Sequence, residues 1–182
     1  MQKKKNKIAL FGNVKVLVFA ALLCAISGVM KLIAPSGDTW RISLENFPIL
    51  FAGMSFGPII GGVVGIGADL LGCLFRGYAI NPFITMASMT VGVFSGIAYK
   101  IMKGNLAIKV FVSAYVAHIL ANVLIKSVAL SQMYGMPLGA LLIERTVTYI
   151  ITAAIESLII LVLLRNSAVR RGTERVKNDE LR

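Results

Sequence analysis

The 29 residues Phe47–Phe75, FPILFAGMSFGPIIGGVVGIGADLLGCLF, decide how this chain folds. They are apolar almost throughout and carry one charged side chain, Asp69. A helix rises about 1.5 Å per residue, so about 20 residues cross the ~30 Å hydrocarbon core of a bilayer. The stretch is too long for one crossing, and Phe56-Gly57-Pro58 interrupts it. Proline cannot continue a helix that precedes it, and Gly-Pro favours a turn. The reading is a short helix over Phe47–Phe56, a turn at Gly57 and a longer helix over Pro58–Phe75.

The rest of the chain follows the same pattern. Of 182 residues, 57% are hydrophobic and 15% charged, and the mean hydropathy is +0.81. A soluble domain carries roughly 25% charged residues. The composition therefore excludes an ordinary soluble enzyme and a disordered chain. The pI near 10 does not indicate nucleic acid, because the basic residues sit at the ends of long apolar runs rather than on a soluble surface. Further helices are expected over 14–34, 82–102, 108–130 and 137–164, with a polar, basic tail over 166–182. The lysine-rich start is read as preceding a first membrane helix rather than as a signal peptide, because the apolar run continues to about Ala34.

Charge gives a direction. With six transmembrane helices and both termini cytoplasmic, the inner segments hold 14 of the 19 Lys and Arg residues. The outer half keeps Lys31, Arg41, Arg76, Lys126 and Arg145. Such a bias sets orientation in multi-pass proteins. The expected fold is thus all-α integral membrane, with one membrane domain over 1–165.

Catalytic and metal chemistry find little support. Cys24 and Cys73 lie in apolar segments without metal-ligand spacing, and one histidine cannot build a multi-His site. Glycines 57, 61 and 65 recur every four residues, which suits close helix packing. No Walker Lys-Ser/Thr pair follows them, so ATP hydrolysis by this chain is not expected.

The informative residues are polar groups inside apolar helices, which are costly there and face a bundle interior or a cavity. Glu144, Thr148, Thr152 and Glu156 share one helical face, as do Tyr115, His118, Asn122 and Lys126. Thr85, Ser88, Gly92, Ser95 and Tyr99 line a third helix, and Asp69 is the lone carboxylate of a fourth. Simpler readings exist for each: Thr and Ser bond back to their own backbone, Asp69 pairs with Arg76, Glu156 is structural, and Lys31 and Lys126 snorkel to the interface. The loop residues Trp40, Arg41, Tyr78 and Asn81, with Arg145, gather rings and cations on the cation-poor side. That chemistry suits a flat anionic ligand, stacked on a ring and held by a guanidinium fork; the simpler reading of Trp40 and Tyr78 is an interfacial aromatic belt.

The run Trp40-Arg41-Ile42-Ser43-Leu44-Glu45-Asn46-Phe47-Pro48, continued by Phe56-Gly57-Pro58 and Asp69-Leu70-Leu71-Gly72, resembles the S components of energy-coupling factor (ECF) vitamin transporters. Asn81-Pro82-Phe83-Ile84-Thr85 and the Ala21–Ala25 pair of the first helix also fit, and the likeness covers most of residues 15–165. The Arg-Ile-Ser-x3-Phe-Pro segment is most similar to the folate-specific branch. The resemblance implies a non-enzymatic, vitamin-binding membrane protein without a cofactor of its own. It implies residence in a prokaryotic plasma membrane beside a transmembrane coupling subunit and two ATPases that hydrolyse the ATP. It further implies that Ala21 and Ala25 dock the coupling subunit, and that toppling within the bilayer carries the ligand inward. The residues themselves allow Asp69 or Asn81 to read a pterin edge, Trp40 or Tyr78 to stack, His118 to touch the ligand, and Arg41 and Arg145 to meet its charge. Pantothenate, a queuosine precursor or a pyrimidine are alternative ligands within the same class. A lipid-modifying membrane enzyme is the competing class, and it lacks the dense carboxylate or histidine cluster it would need.

Overall fold

The computed structural model describes residues 14–34 and 43–178, and these are helical nearly throughout. The elements are α1 (Val14–Ile33), α2 (Phe47–Phe56), α3 (Pro58–Arg76), α4 (Pro82–Ile101), α5 (Leu106–His118), α6 (Lys126–Tyr134), α7 (Leu138–Arg165) and α8 (Ser167–Asn178). Between α5 and α6 the chain keeps turning as a π-helix over Ile119–Ile125, so Leu106–Tyr134 is one continuous rod. Among the described residues, five helices are long and apolar enough to cross a membrane: α1, α3, α4, the Leu106–Tyr134 rod and α7.

Helix α2 is the exception. Its 10 residues cover only about 15 Å, yet all but Phe47 are buried. The start of α2 lies near Glu156 of α7, and α2 also packs against α8. From Glu156, α7 runs nine more residues, about 14 Å, to its end at Arg165. Helix α2 therefore fills the half of the bundle nearest Arg165, enclosed by other helices rather than facing lipid.

The turn from α2 to α3 follows from its sequence. Gly57 has φ +97°, a conformation that side-chain-bearing residues rarely adopt, and Pro58 opens α3 where no helical N–H is needed. Helices α2, α3 and α4 then meet backbone to backbone. A Cβ at Gly61 would meet Gly53 Cα and the Gly92 carbonyl, and one at Gly92 would run into the Gly61 carbonyl. Small residues give this close approach in apolar surroundings, where packing rather than the hydrophobic effect joins helices. The glycine repeat thus serves packing, with Gly57 in the turn and Gly61 and Gly65 in the seam.

The apolar outer surface faces the bilayer: Val14, Leu22, Val29, Leu74, Ile143, Val147 and Val162 are all half or more exposed. The expected polar tail takes a definite shape over most of its length. Helix α8 starts one residue after α7, where the Asn166 side chain accepts from the Ala168 N–H. Val169 packs against the core and Val176 is part of it.

Candidate functional site

Polar side chains converge on the interior between the Phe47 end of α2 and the end of the bundle where α1 and α3 finish. Arg76 ties those two helix ends together: Nη2 donates to the carbonyls of Leu32 and Ala34 at 2.9 and 3.1 Å. Asp69 lies about two turns in from the end of α3. Its Oδ1 accepts from Lys31 Nζ at 2.7 Å, and its Oδ2 accepts from Thr85 Oγ1 at 2.8 Å. One carboxylate thereby links α1, α3 and α4. Gly72 makes room for the lysine, since a Cβ there would occupy the place of its stem.

A second ion pair joins Lys126 Nζ to Glu45 Oε1 at 3.5 Å. Glu45 is also held to α1, its carbonyl accepting from Ser27 Oγ at 2.5 Å. Both lysines are buried and paired, so neither snorkels to the interface, and the partner of Asp69 is Lys31 rather than Arg76. Lys31 lies on the same helical face as Cys24 and Ser27. Lys126 belongs to the stripe that runs through His118 and Asn122.

The third group centres on His118, 1% exposed, and Glu156, fully buried. His118 Nε2 donates to Glu156 Oε2 at 2.7 Å, and Nδ1 accepts from the Asn122 amide at 2.9 Å. Tyr149 stacks on the imidazole with ring centres 5.1 Å apart. The π-helical turn begins directly after His118 and carries Asn122. Such wide turns concentrate at functional sites, and here the Asn122 carbonyl accepts from Arg145 Nη1 at 3.4 Å.

Several buried polar atoms in this region have no hydrogen-bond partner among the described residues: both side-chain polar atoms of Asn46, Asn122 Oδ1, Arg145 Nε and Glu156 Oε1. A buried unsatisfied group costs about 1–3 kcal/mol. Four such side chains gather around one interior. The donors are amide and guanidinium, the acceptors carboxylate and amide oxygen; the set contains no group of three or more metal-ligating side chains among the described residues.

The sequence candidates fall into separate groups. Asp69, His118 and Arg145 belong to the buried polar interior. Asn81 lies at the rim, where Oδ1 caps α4 by accepting from Phe83 and Ile84 and the amide approaches Met133 Sδ. Tyr78 is 53% exposed and accepts from Arg76 Nη1 at 3.2 Å. Trp40 and Arg41 lie outside the described residues. Ala21 and Ala25 are exposed on one face of α1. On the Glu144 stripe, Thr148 and Thr152 bond back to carbonyls one turn earlier, as the simpler reading expects. The sequence reading did not single out Glu45 and Asn46 as interior groups, because they precede a helix and resemble loop residues.

Comparison with known proteins bears on the family and the fold. The family model for the ECF transporter substrate-specific component matches residues 15–164. The Folate transporter FolT of Clostridium novyi (strain NT) is 24% identical over 150 residues, spanning 81% of this chain and 87% of that protein. A crystal structure of FolT bound with folic acid superposes with a TM-score of 0.69 at 24% identity, covering 81% of this chain and 90% of the other. The S component of a bacterial ECF transporter superposes at 0.64 with 22% identity, covering 92% and 98%. A multi-pass helical bundle, a buried polar interior and a family match over most of its length lead to one conclusion: this chain is a membrane protein that belongs to the substrate-specific components of ECF transporters.

Proposed function

We propose that the chain captures folate from outside a prokaryotic cell and delivers it inward with an ECF coupling subunit and two ATPases. The observation that carries this is the set of unpartnered buried groups, Asn46, Asn122, Arg145 and Glu156, beside the ion-paired Asp69. A pterin offers a donor–acceptor edge to such groups, and its glutamate tail offers carboxylates to a guanidinium. A site of this kind rejects analogues that leave its groups unpaired. Asp69, His118 and Arg145 form the interior of the proposed site and Tyr78 and Asn81 its rim. Trp40 and Arg41 are carried by the segment that joins α1 to the Asn46 side. The folate-binding relatives support the choice of vitamin.

The topology proposed is six membrane segments, α2 being a half-length one, with both termini cytoplasmic and the membrane domain ending at Arg165. The half-length α2 keeps the parity of six, and the bias of 14 of 19 cationic residues sets the direction. Ala21 and Ala25 then face the coupling subunit, where two small residues one turn apart admit a foreign helix closely. The chain needs no cofactor in this reading, since the partner ATPases use the ATP.

The test is mass spectrometry of the small molecule that copurifies with the protein, with calorimetric titration of folate and no ATP present. Folate in the purified protein and saturable binding are expected. A different vitamin copurifying, with no folate titration after its removal, would overturn the assignment.

A further inference from the structure

Helix α8 lies beyond the residues that define the family, 15–164, and the proposed transport function leaves it without a task. It has two opposite faces. Val169, Thr173 and Val176 fall within one helical stripe, and all three are turned inward: Val176 joins the core, Val169 packs against it, and Thr173 is buried. This stripe sets α8 against α7 and against the ends of α1 and α2. At 100° per residue, Arg171 and Arg175 point away from that stripe, with Arg170 and Glu174 beside them. Arg165, Arg170, Arg171 and Arg175 are all exposed.

The depth of these cations is fixed by what leads to them. On α7 the apolar side chains Leu158 and Val162 are 53% and 67% exposed, and Arg165 is the next exposed position at the helix end. On α1 the exposed Val14 and Val18 flank an exposed Lys15. The lipid-facing belt therefore stops where the cations begin, which is the level of the headgroups. A single residue, Asn166, separates the end of α7 from α8, and the Val169–Val176 stripe holds α8 against the bundle at this level. Glu174 is the one acid of α8's described side chains and is taken up by Arg170 at 3.8 Å. Arg171 stays folded on its own helix, donating to Ser167, with its planar group at the surface.

We propose that the arginine face of α8 is a binding surface for the phosphate headgroups of anionic phospholipids in the inner leaflet. It rests on the topology proposed above only in naming the inner leaflet. Guanidinium groups fork phosphate oxygens, and basic residues close to an anionic membrane are drawn to its surface charge. The buried stripe holds the helix to the bundle, so lipid charge bears directly on how α8 seats over α1 and α2.

Full-length protein purified in mild detergent tests this by native mass spectrometry with phosphatidylglycerol and phosphatidylcholine added at equal concentration. The wild type should retain phosphatidylglycerol at least fivefold over phosphatidylcholine. The combined variant Arg165→Gln/Arg170→Gln/Arg171→Gln/Arg175→Gln should lose that preference, and the corresponding four-lysine variant should keep most of it. Equal preference in the wild type and the glutamine variant would overturn the proposal. So would a variant that keeps its lipid preference but no longer assembles with the coupling subunit, which would assign the face to protein. Folate titration on the same samples separates the two readings. Failure of folate to bind the wild type would sink the vitamin assignment and leave the lipid measurement intact.

Discussion

Lys31 Nζ and Asp69 Oδ1 lie 2.7 Å apart inside the bundle, and both side chains are almost wholly shielded from solvent. Breaking such a pair from one side leaves an uncompensated buried charge and costs about 3–5 kcal/mol, whereas neutralising both partners is often nearly neutral. Lys31→Met should therefore lower the melting temperature by several degrees in detergent, and Asp69→Asn added to it should recover most of the loss. Thr85 supports that recovery, because its hydroxyl also reaches the Asn81 carbonyl at 3.1 Å. Additive losses in the double variant would show that the pair is not energetically coupled.

Asn46 makes no side-chain hydrogen bond within the described residues and is 1% exposed. Asn46→Ala removes no internal bond, so the ligand-free protein should melt at or slightly above the wild-type temperature. Affinity for folate should fall about tenfold, the scale of one lost hydrogen bond in a buried site. Thermal scans with and without folate test both parts at once. A variant that loses stability without ligand and keeps its affinity would make Asn46 a structural residue.

Gly92 and Gly61 bring α3 and α4 into backbone contact. Gly92→Leu has no room for its side chain and should abolish accumulation of folded protein, while Gly139→Ala, with open space around it, should be neutral. Size-exclusion profiles of tagged variants distinguish them. A monodisperse Gly92→Leu protein would mean that the seam yields.

Ala21 and Ala25 are exposed on α1 and stand clear of the polar interior. Replacing both by leucine should leave folate binding unchanged and stop uptake in cells that supply the coupling module. Loss of binding in the purified variant would place these alanines in internal packing instead.

Arg41 belongs to the segment whose resemblance points to folate. Arg41→Ala should weaken binding by more than tenfold, as expected when a charged hydrogen bond is lost. Titration of the purified variant checks this, and unchanged affinity would remove Arg41 from the site.

The helices were legible because apolar length and proline–glycine punctuation act locally. The α2–α3 break at Gly57-Pro58 lies where the residues put it, and Asp69, His118 and Arg145 stood out as polar groups in apolar helices. What was hidden depended on tertiary contacts. Nothing in the run from Ile119 to Ile125 distinguishes a π-helical turn from an ordinary one, since the wider winding is favoured by what surrounds it. The lysines illustrate the same limit. A long aliphatic stem can reach outward or inward, and only the carboxylates of Asp69 and Glu45 decide that it turns inward. Helix α8 was read as a tail because its composition is polar, and its valine stripe has value only once the ends of α1 and α2 lie beneath it.

The shortness of α2 bears on how the protein is made. Ten residues are too few for the insertion machinery to accept as a crossing segment. In the proposed six-segment topology, the tight turn at Gly57 makes α2 enter the bilayer together with α3, as a helical hairpin. In that topology the floor formed by α2 is in place before α4, the Leu106–Tyr134 rod and α7 are made, so one side of the polar interior is set before the others close around it.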